Sequence, residues 1–342
     1  MPAANFSAER PLLFLAPMAG VTNTVFRRLC KSLGADVLTT EFVSAEGILH
    51  RNERTRRYIE FQDDERPLGV QLFGAEPSRL AEAVKAVIDW VGPDFIDLNF
   101  GCPVNKVVAR NGGSALLKDC PLLQKVASSV VAAAGNTPVT AKIRIGWDSR
   151  SINALETARI LEGEGIKRLA VHGRTKEQGY SGQADWEVIA AVAAQAGIPV
   201  IGNGDIDSAQ TALRRLSESG VAGLMIGRTA MNHPWIFREI RMAIDSGKDA
   251  PVVSMKEKWD FIIHHAELEV AWWNGMEMLA MKSMRARLMA YTRGLPGGAR
   301  LRAGLQHVET VDGVREIAEA HLSALQSHAN DVENLCGLDG RE

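Results

Sequence analysis

Eight short apolar segments punctuate this chain, at residues 12–16, 37–40, 68–73, 95–99, 139–145, 168–172, 199–203 and 223–227. They are rich in Val, Ile and Leu and nearly continuous in hydrophobicity, the pattern of strands covered on both faces in a parallel sheet. Amphipathic stretches lie between them. Leu80, Val84, Val87, Ile88 and Val91 recur at helical spacing and would form one buried stripe. Asp207 followed by Gln210 resembles a capping box opening another helix, and Gly220 would close it. Eight strand–helix units predict an α/β fold of the (β/α)8 TIM-barrel type. A doubly wound open sheet is the competitor, but it normally has fewer strands and a dominant glycine fingerprint, which this chain lacks.

At 342 residues, 46% hydrophobic and 23% charged, the chain has material for one large domain and a smaller one. The barrel is expected over residues 1–245. Residues 252–342 read as a C-terminal all-helical domain, reached through a linker around 247–251. Ser254 followed by Glu257 resembles a capping box for a helix through Trp259, Ile262, Ile263, Ala266 and Val270. A second helix should cover 276–291 and stop at Gly294-Leu295-Pro296, and two more should lie near 301–307 and 314–325. The formal net charge of −2 provides no global basic field, so a nucleic-acid partner would need a local patch. One stretch qualifies. From Met278 to Val308 there is no acidic residue, while Lys282, Arg285, Arg287, Arg293, Arg300 and Arg302 all lie there. A solvated helix face would look the same.

Cys30, Cys102, Cys120 and Cys336 are far apart and form no CxxC pair, which argues against a metal site or a disulfide framework and suits a reducing cytoplasm. No apolar run is long enough to span a bilayer, and the N-terminus lacks a basic segment followed by an apolar one. A soluble cytoplasmic protein without a membrane partner is expected.

In a barrel, catalytic groups sit at the C-terminal ends of the strands. Here those ends carry Pro17-Met18-Ala19-Gly20, Glu41, Gln71, Asn99 with Cys102, Lys142 with Arg144, His172 with Arg174, Asn203-Gly204-Asp205, and Gly227-Arg228. A barrel with a purely structural role has no need of so many polar ends. Cys102 sits on a Gly101–Pro103 turn after an apolar run. Thiols titrate ordinarily near about 8.5 and can deliver a proton to carbon. A buried structural cysteine is the alternative. Lys142, inside an apolar strand, needs an anionic partner or a depressed pKa. It could form a Schiff base, hold a delocalised anion such as a reduced flavin, or snorkel to the mouth. Gly204 and Gly227, with Arg228, end strands seven and eight, where barrels usually bind phosphate.

Taken together, Pro17-Met18-Ala19-Gly20-Val21-Thr22, Thr40-Glu41, Val70-Gln71-Leu72, Asp97-Leu98-Asn99-Phe100-Gly101-Cys102-Pro103, Gly113-Ser114-Ala115-Leu116-Leu117, Lys142-Ile143-Arg144, Val171-His172-Gly173-Arg174-Thr175, Asn203-Gly204-Asp205-Ile206 and Met225-Ile226-Gly227-Arg228 resemble the tRNA-dihydrouridine synthase family. Tyr291-Thr292-Arg293-Gly294-Leu295-Pro296-Gly297 is similar to the helical domain of bacterial B-type members. The resemblance implies an FMN- and NADPH-dependent oxidoreductase, often monomeric, that reduces D-loop uridines of tRNA to 5,6-dihydrouridine. It implies that FMN, reduced by NADPH, passes hydride to C6 of the uracil and that Cys102 protonates C5. Pro17, Met18, Ala19, Gln71, Lys142, His172, Asn203, Gly204, Asp205, Gly227 and Arg228 match cofactor positions. Asn99, Arg144 and Arg174 match positions near the target base or the flavin edge, and Lys282, Arg285, Arg287 and Arg293 fall to the tRNA-binding tail. A flavin barrel acting on a free pyrimidine, a tRNA-binding protein without catalysis, and a barrel aldolase using Lys142 are the rival readings.

Overall fold

The computed structural model describes residues 10–51, 53–103 and 112–336. It divides into two compact units, Met1–Ala230 with Pro234–Ala250, and Met231–His233 with Pro251–Glu342. The first unit runs past the expected end at 245 because the helix Ile236–Ser246 closes only at Gly247, in the left-handed region at φ 66°.

Nine parallel strands are found among the described residues: β1 (Leu12–Leu15), β2 (Leu38–Thr39), β3 (Val43–Ser44), β4 (Leu68–Phe73), β5 (Phe95–Phe100), β6 (Val139–Arg144), β7 (Leu169–His172), β8 (Val200–Asn203) and β9 (Gly223–Ile226). They pair in the order β1-β9-β8-β7-β6-β5-β4-β2, and β3 also pairs with β4. Phe14 of β1 bridges Val37, just before β2, and the Leu15 N–H donates to the Val37 carbonyl at 3.2 Å. That bridge closes the expected eight-stranded cylinder. Only the short β3 is additional.

The flanking helices follow ordinary capping chemistry. Pro77–Val91 starts with Pro77 at its first turn, with the Glu76 side chain accepting from the Ser78 and Arg79 N–H groups, and it ends at Gly92 in the left-handed region. Its buried stripe is Leu80, Ala83, Val84 and Val87. The helix Ala209–Ser219 is capped by Ser208, whose hydroxyl accepts from the Thr211 N–H. Asp207, the expected cap, lies one residue too early.

Alternate strand residues point inward. Phe14, Ala16, Phe95, Ala170, Ile201 and Met225 form the interior cluster. At the floor, the Arg168 guanidinium lies 4.6 Å from the Phe14 ring centre and 4.7 Å from that of Phe95. A Cβ on Gly69 would come within 2.1 Å of the Phe95 ring, so only glycine lets that ring cross the floor. Higher up, the inward positions turn polar.

In the second unit, helices span Met255–Trp272, Glu277–Tyr291, Gly298–Leu305 and Val311–Cys336. Ser254 caps the first through the Glu257 N–H at 3.1 Å. The last begins earlier than expected, after Thr310, whose hydroxyl accepts from the Gly313 N–H. Trp259, Met281, Met284, Leu288 and Leu305 are buried in this unit. So is a polar cluster. Arg287 donates to Glu269 at 2.9 Å and faces His265 Nε2 at 3.3 Å, while His265 Nδ1 lies 2.9 Å from the Tyr291 hydroxyl. Arginine can only donate, so Nε2 is the acceptor and Nδ1 carries the proton.

Burial, with Arg287 adding to it against Glu269, pushes His265 down from 6.5 to about 4. The fold therefore holds the neutral ring. Its contribution is intact above the unfolded value of 6.5 and is lost as pH falls toward about 4. Urea unfolding is expected to show a loss of about 3 kcal/mol from this residue across that window, and His265→Gln should remove that share of the acid sensitivity.

Candidate active site at the barrel mouth

The C-terminal strand ends bring the predicted residues together. Asn99 pairs with Lys142 in register, Arg144 with His172, and His172 with Asn203. Pro17 and Met18 follow β1 and are partly exposed, Ala19 is exposed, and the Gly20 N–H is held by Glu41 at 2.7 Å. Cys102 is buried on its turn after β5. Asn99 Oδ1 accepts from the Cys102 N–H at 2.8 Å and from the Gly101 N–H at 3.1 Å. On the other side, the Cys102 carbonyl accepts from the Ser114 hydroxyl at 2.8 Å and from its N–H at 3.2 Å. The turn is thus gripped through its backbone. Residues 104–111, which follow it, lie outside the described residues.

Lys142 has no hydrogen-bond or ion-pair partner among the described residues. Burial, reinforced by Arg144, pushes its ammonium down to about 8, while Asp97 and Cys102 act against that shift. His172 is buried beside Lys142, Arg144, Arg174 and Arg228, and desolvation with those four positive charges drives its pKa far down. It presents a neutral imidazole whose nitrogens have no hydrogen-bond partner among the described residues.

Two arginines shape the rim. Arg144 donates to the carbonyls of Gly101, Thr175 and Gly179 at 2.8–3.0 Å. Arg174 donates to those of Ser181 and Gly182 and makes a two-oxygen contact with Asp205 at 2.8 Å. Arg174 Nη1 remains buried with no hydrogen-bond partner among the described residues. Asp205, also bonded by the Ala184 N–H, is shared with the more exposed Arg228 at 3.1 Å. These donors and cations hold its carboxyl below the usual range, although burial opposes them. Asn203 Nδ2 donates to the Met225 carbonyl at 2.7 Å. Gly204 has φ 127°, and a Cβ there would meet the Ala184 Cβ at 2.6 Å and the His172 ring at 3.2 Å. A Cβ on Gly227 would meet Ala16 and Met18 at 3.4–3.7 Å.

A model of the family described as dihydrouridine synthase (Dus) matches residues 14–330. The chain belongs to this family. A tRNA-dihydrouridine synthase B of Pseudomonas aeruginosa is 39% identical over 301 residues, which cover 88% of this chain and 89% of that protein. A probable tRNA-dihydrouridine synthase of Rickettsia conorii is 37% identical, covering 92% and 95%. Among solved structures, a variant of NCR from Zymomonas mobilis aligns with TM-score 0.50 at 14% identity, over 72% of this chain and 89% of that one. Histamine dehydrogenase from Rhizobium sp. 4-9 aligns with TM-score 0.50 at 14% identity, over 68% and 45%. At that identity the two structures speak for the shared barrel alone.

Several residues of this dihydrouridine synthase chain stand otherwise than expected. Gln71 has no exposed surface, and its amide is bonded at both ends to protein partners, Asp97 and Asn99. Arg144 and Arg174 are buried and donate to carbonyls of the loop around 175–182. Asp205 is committed to arginines. Arg287, placed by its charge run among the tRNA contacts, is buried against Glu269. A lone arginine taken from water is stabilised best by such a carboxylate. Lys282 and Arg293 are exposed and Arg285 is half-buried. Tyr180 was missed. It is 59% exposed, with its ring centre 5.6 Å from the Arg144 guanidinium and 4.9 Å from that of Arg228. No periodicity marks its loop; an aromatic between two basic strand ends was the available signal. No group of three or more metal-ligating side chains is found among the described residues, and no described helix is long and apolar enough to cross a membrane.

Proposed function

We propose that this protein reduces uridine in the D-loop of tRNA to 5,6-dihydrouridine, using bound FMN and NADPH as reductant, as a monomer in the cytoplasm. The observation that carries the reading is the pairing of Cys102, held through its backbone on a turn, with the Lys142 ammonium one strand away, which has no partner among the described residues, in a chain of this family.

The residues present fit a flavin. Lys142 offers an uncommitted positive charge, neutral His172 offers a donor and an acceptor, and Arg174 Nη1 is a buried donor in need of an acceptor. The Gly204 cradle, which a Cβ would fill, and Arg228 suit the phosphate end. Pro17, Met18 and Ala19 would meet the ring through backbone and apolar surface. Gln71 would act mainly through Asn99. When bound, the flavin supplies the two electrons that saturate the uracil C5–C6 bond.

The chain's own residues then position and protonate. Cys102 holds its thiol proton for C5 of the uracil, and the thiolate left behind takes a proton from water. Asn99 Nδ2 keeps one N–H for the base. Tyr180, fixed between Arg144 and Arg228, walls the entrance against water, and the target base must be flipped out of the tRNA to reach it. Lys282, Arg285 and Arg293 supply phosphate contacts in the helical unit.

Purified protein is expected to be yellow and, with NADPH, to introduce dihydrouridine into tRNA taken from cells that lack it. Mass mapping should find the gain of two hydrogens at D-loop uridines. Equal turnover of free uridine, or no product on any tRNA from the flavin-loaded protein, would refute the proposal.

A further inference from the structure

The barrel interior holds a carboxyl group that the proposed chemistry does not use. Asp97 lies in β5 two residues before Asn99 and is buried. It accepts from Gln71 Nε2 at 2.6 Å and, through its other oxygen, from the Thr140 hydroxyl. Gln71 Oε1 accepts from Asn99 Nδ2 at 2.8 Å. Asn99 Oδ1 accepts from the Gly101 and Cys102 N–H groups.

The two ends of this chain are chemically opposite. A carboxylate oxygen only accepts, and a backbone N–H only donates. The two amides between them satisfy every link in a single orientation. Turning either one over would set oxygen against oxygen or N–H against N–H where no water can intervene. Burial raises the Asp97 carboxyl above the usual range against the pull of its two hydrogen bonds and of Arg168 and Lys142, and the oxygen facing Gln71 Nε2 accepts whether or not the other carries a proton.

We propose that Asp97 is a positioning residue for the Cys102 turn: its carboxylate orients the Gln71–Asn99 amide chain, which grips the Gly101 and Cys102 N–H groups and so holds the thiol at the barrel mouth. The importance of this device rests on the reading of Cys102 as the acid, but the chain of contacts can be tested without it.

The full-length protein as purified is compared by hydrogen exchange on peptides covering Phe100–Cys102, with β8 peptides as reference. Asp97→Leu removes the acceptor at similar volume and is expected to speed exchange at Gly101 and Cys102 at least about 10-fold, leaving β8 unchanged. Asp97→Asn can keep its oxygen toward Gln71 and turn its amide toward the Thr140 hydroxyl, so it should restore protection. Asn99→Ala breaks the chain further along, and Asp97→Leu added to it should give no further acceleration. Asp97→Ala, read the same way, serves if the leucine variant does not fold. Unchanged exchange at the turn, acceleration shared with β8, or full additivity with Asn99→Ala would overturn the inference. If the wild-type protein fails to reduce tRNA, the functional reading falls, and the exchange data still judge Asp97 by themselves.

Discussion

Cys102→Ala is expected to lower uridine reduction in tRNA by about 10²- to 10⁴-fold, the usual scale for losing a positioned general acid. NADPH should still bleach the flavin at the wild-type rate. The Asn99 contact to the Cys102 N–H and the Ser114 contacts to its carbonyl act on backbone atoms. Alanine keeps them and removes only the sulfur. Stopped-flow spectroscopy separates the two half-reactions, one following flavin absorbance after NADPH and the other its return on adding tRNA. Retention of full turnover on tRNA would remove Cys102 from the chemistry.

Lys142→Met should have two opposite effects. Activity is expected to fall about 10²- to 10³-fold, because a fixed charge at a developing anion has been removed from a water-poor site. Stability at pH 7 should rise, by on the order of 1–3 kcal/mol, because an ammonium held below its ordinary pKa is a folding cost that methionine does not carry. The folded value of about 8 lies below the unfolded 10.5. The charge therefore penalises the wild-type fold fully below pH 8, and the penalty disappears as pH rises through 10.5. The stability advantage of Lys142→Met should shrink across that interval. In the wild type, kcat/KM, which reports the free flavin-loaded enzyme, should decline as Lys142 loses its proton, at a pH no lower than about 8 because an anionic partner raises that value. Thermal unfolding of the two proteins between pH 7 and 10, beside the rate profile, checks both. A variant that is both inactive and less stable would contradict this account of Lys142.

The barrel was legible because its strands are buried on both faces and spell themselves as apolar runs. β3 escaped because two residues, Val43 and Ser44, carry no period. The mouth residues were legible because a barrel puts its chemistry at one end of every strand. Their partners were not. Asp97 acts through a contact between strands inside the barrel, and Ser114 through one to a carbonyl twelve residues earlier, neither of which local spacing records. The fate of Arg287 turned on Glu269, which belongs to a different helix. Within the basic stretch, arginine looks the same whether its neighbour is solvent or a buried carboxylate. Ser208 displaced Asp207 as a cap because a hydroxyl one residue later reaches the Thr211 amide, a choice of geometry rather than composition.

The floor of the cylinder has a kinetic meaning. Phe14, Phe95 and Arg168 stop it up, so among the described residues the polar strand ends face one doorway, at the opposite end of the barrel. On the proposed activity, a dinucleotide and a folded RNA must use that doorway in turn, and each must depart before the other can approach. Plots of reciprocal velocity against reciprocal tRNA at several NADPH levels should therefore run parallel, and excess of either visitor should slow the other.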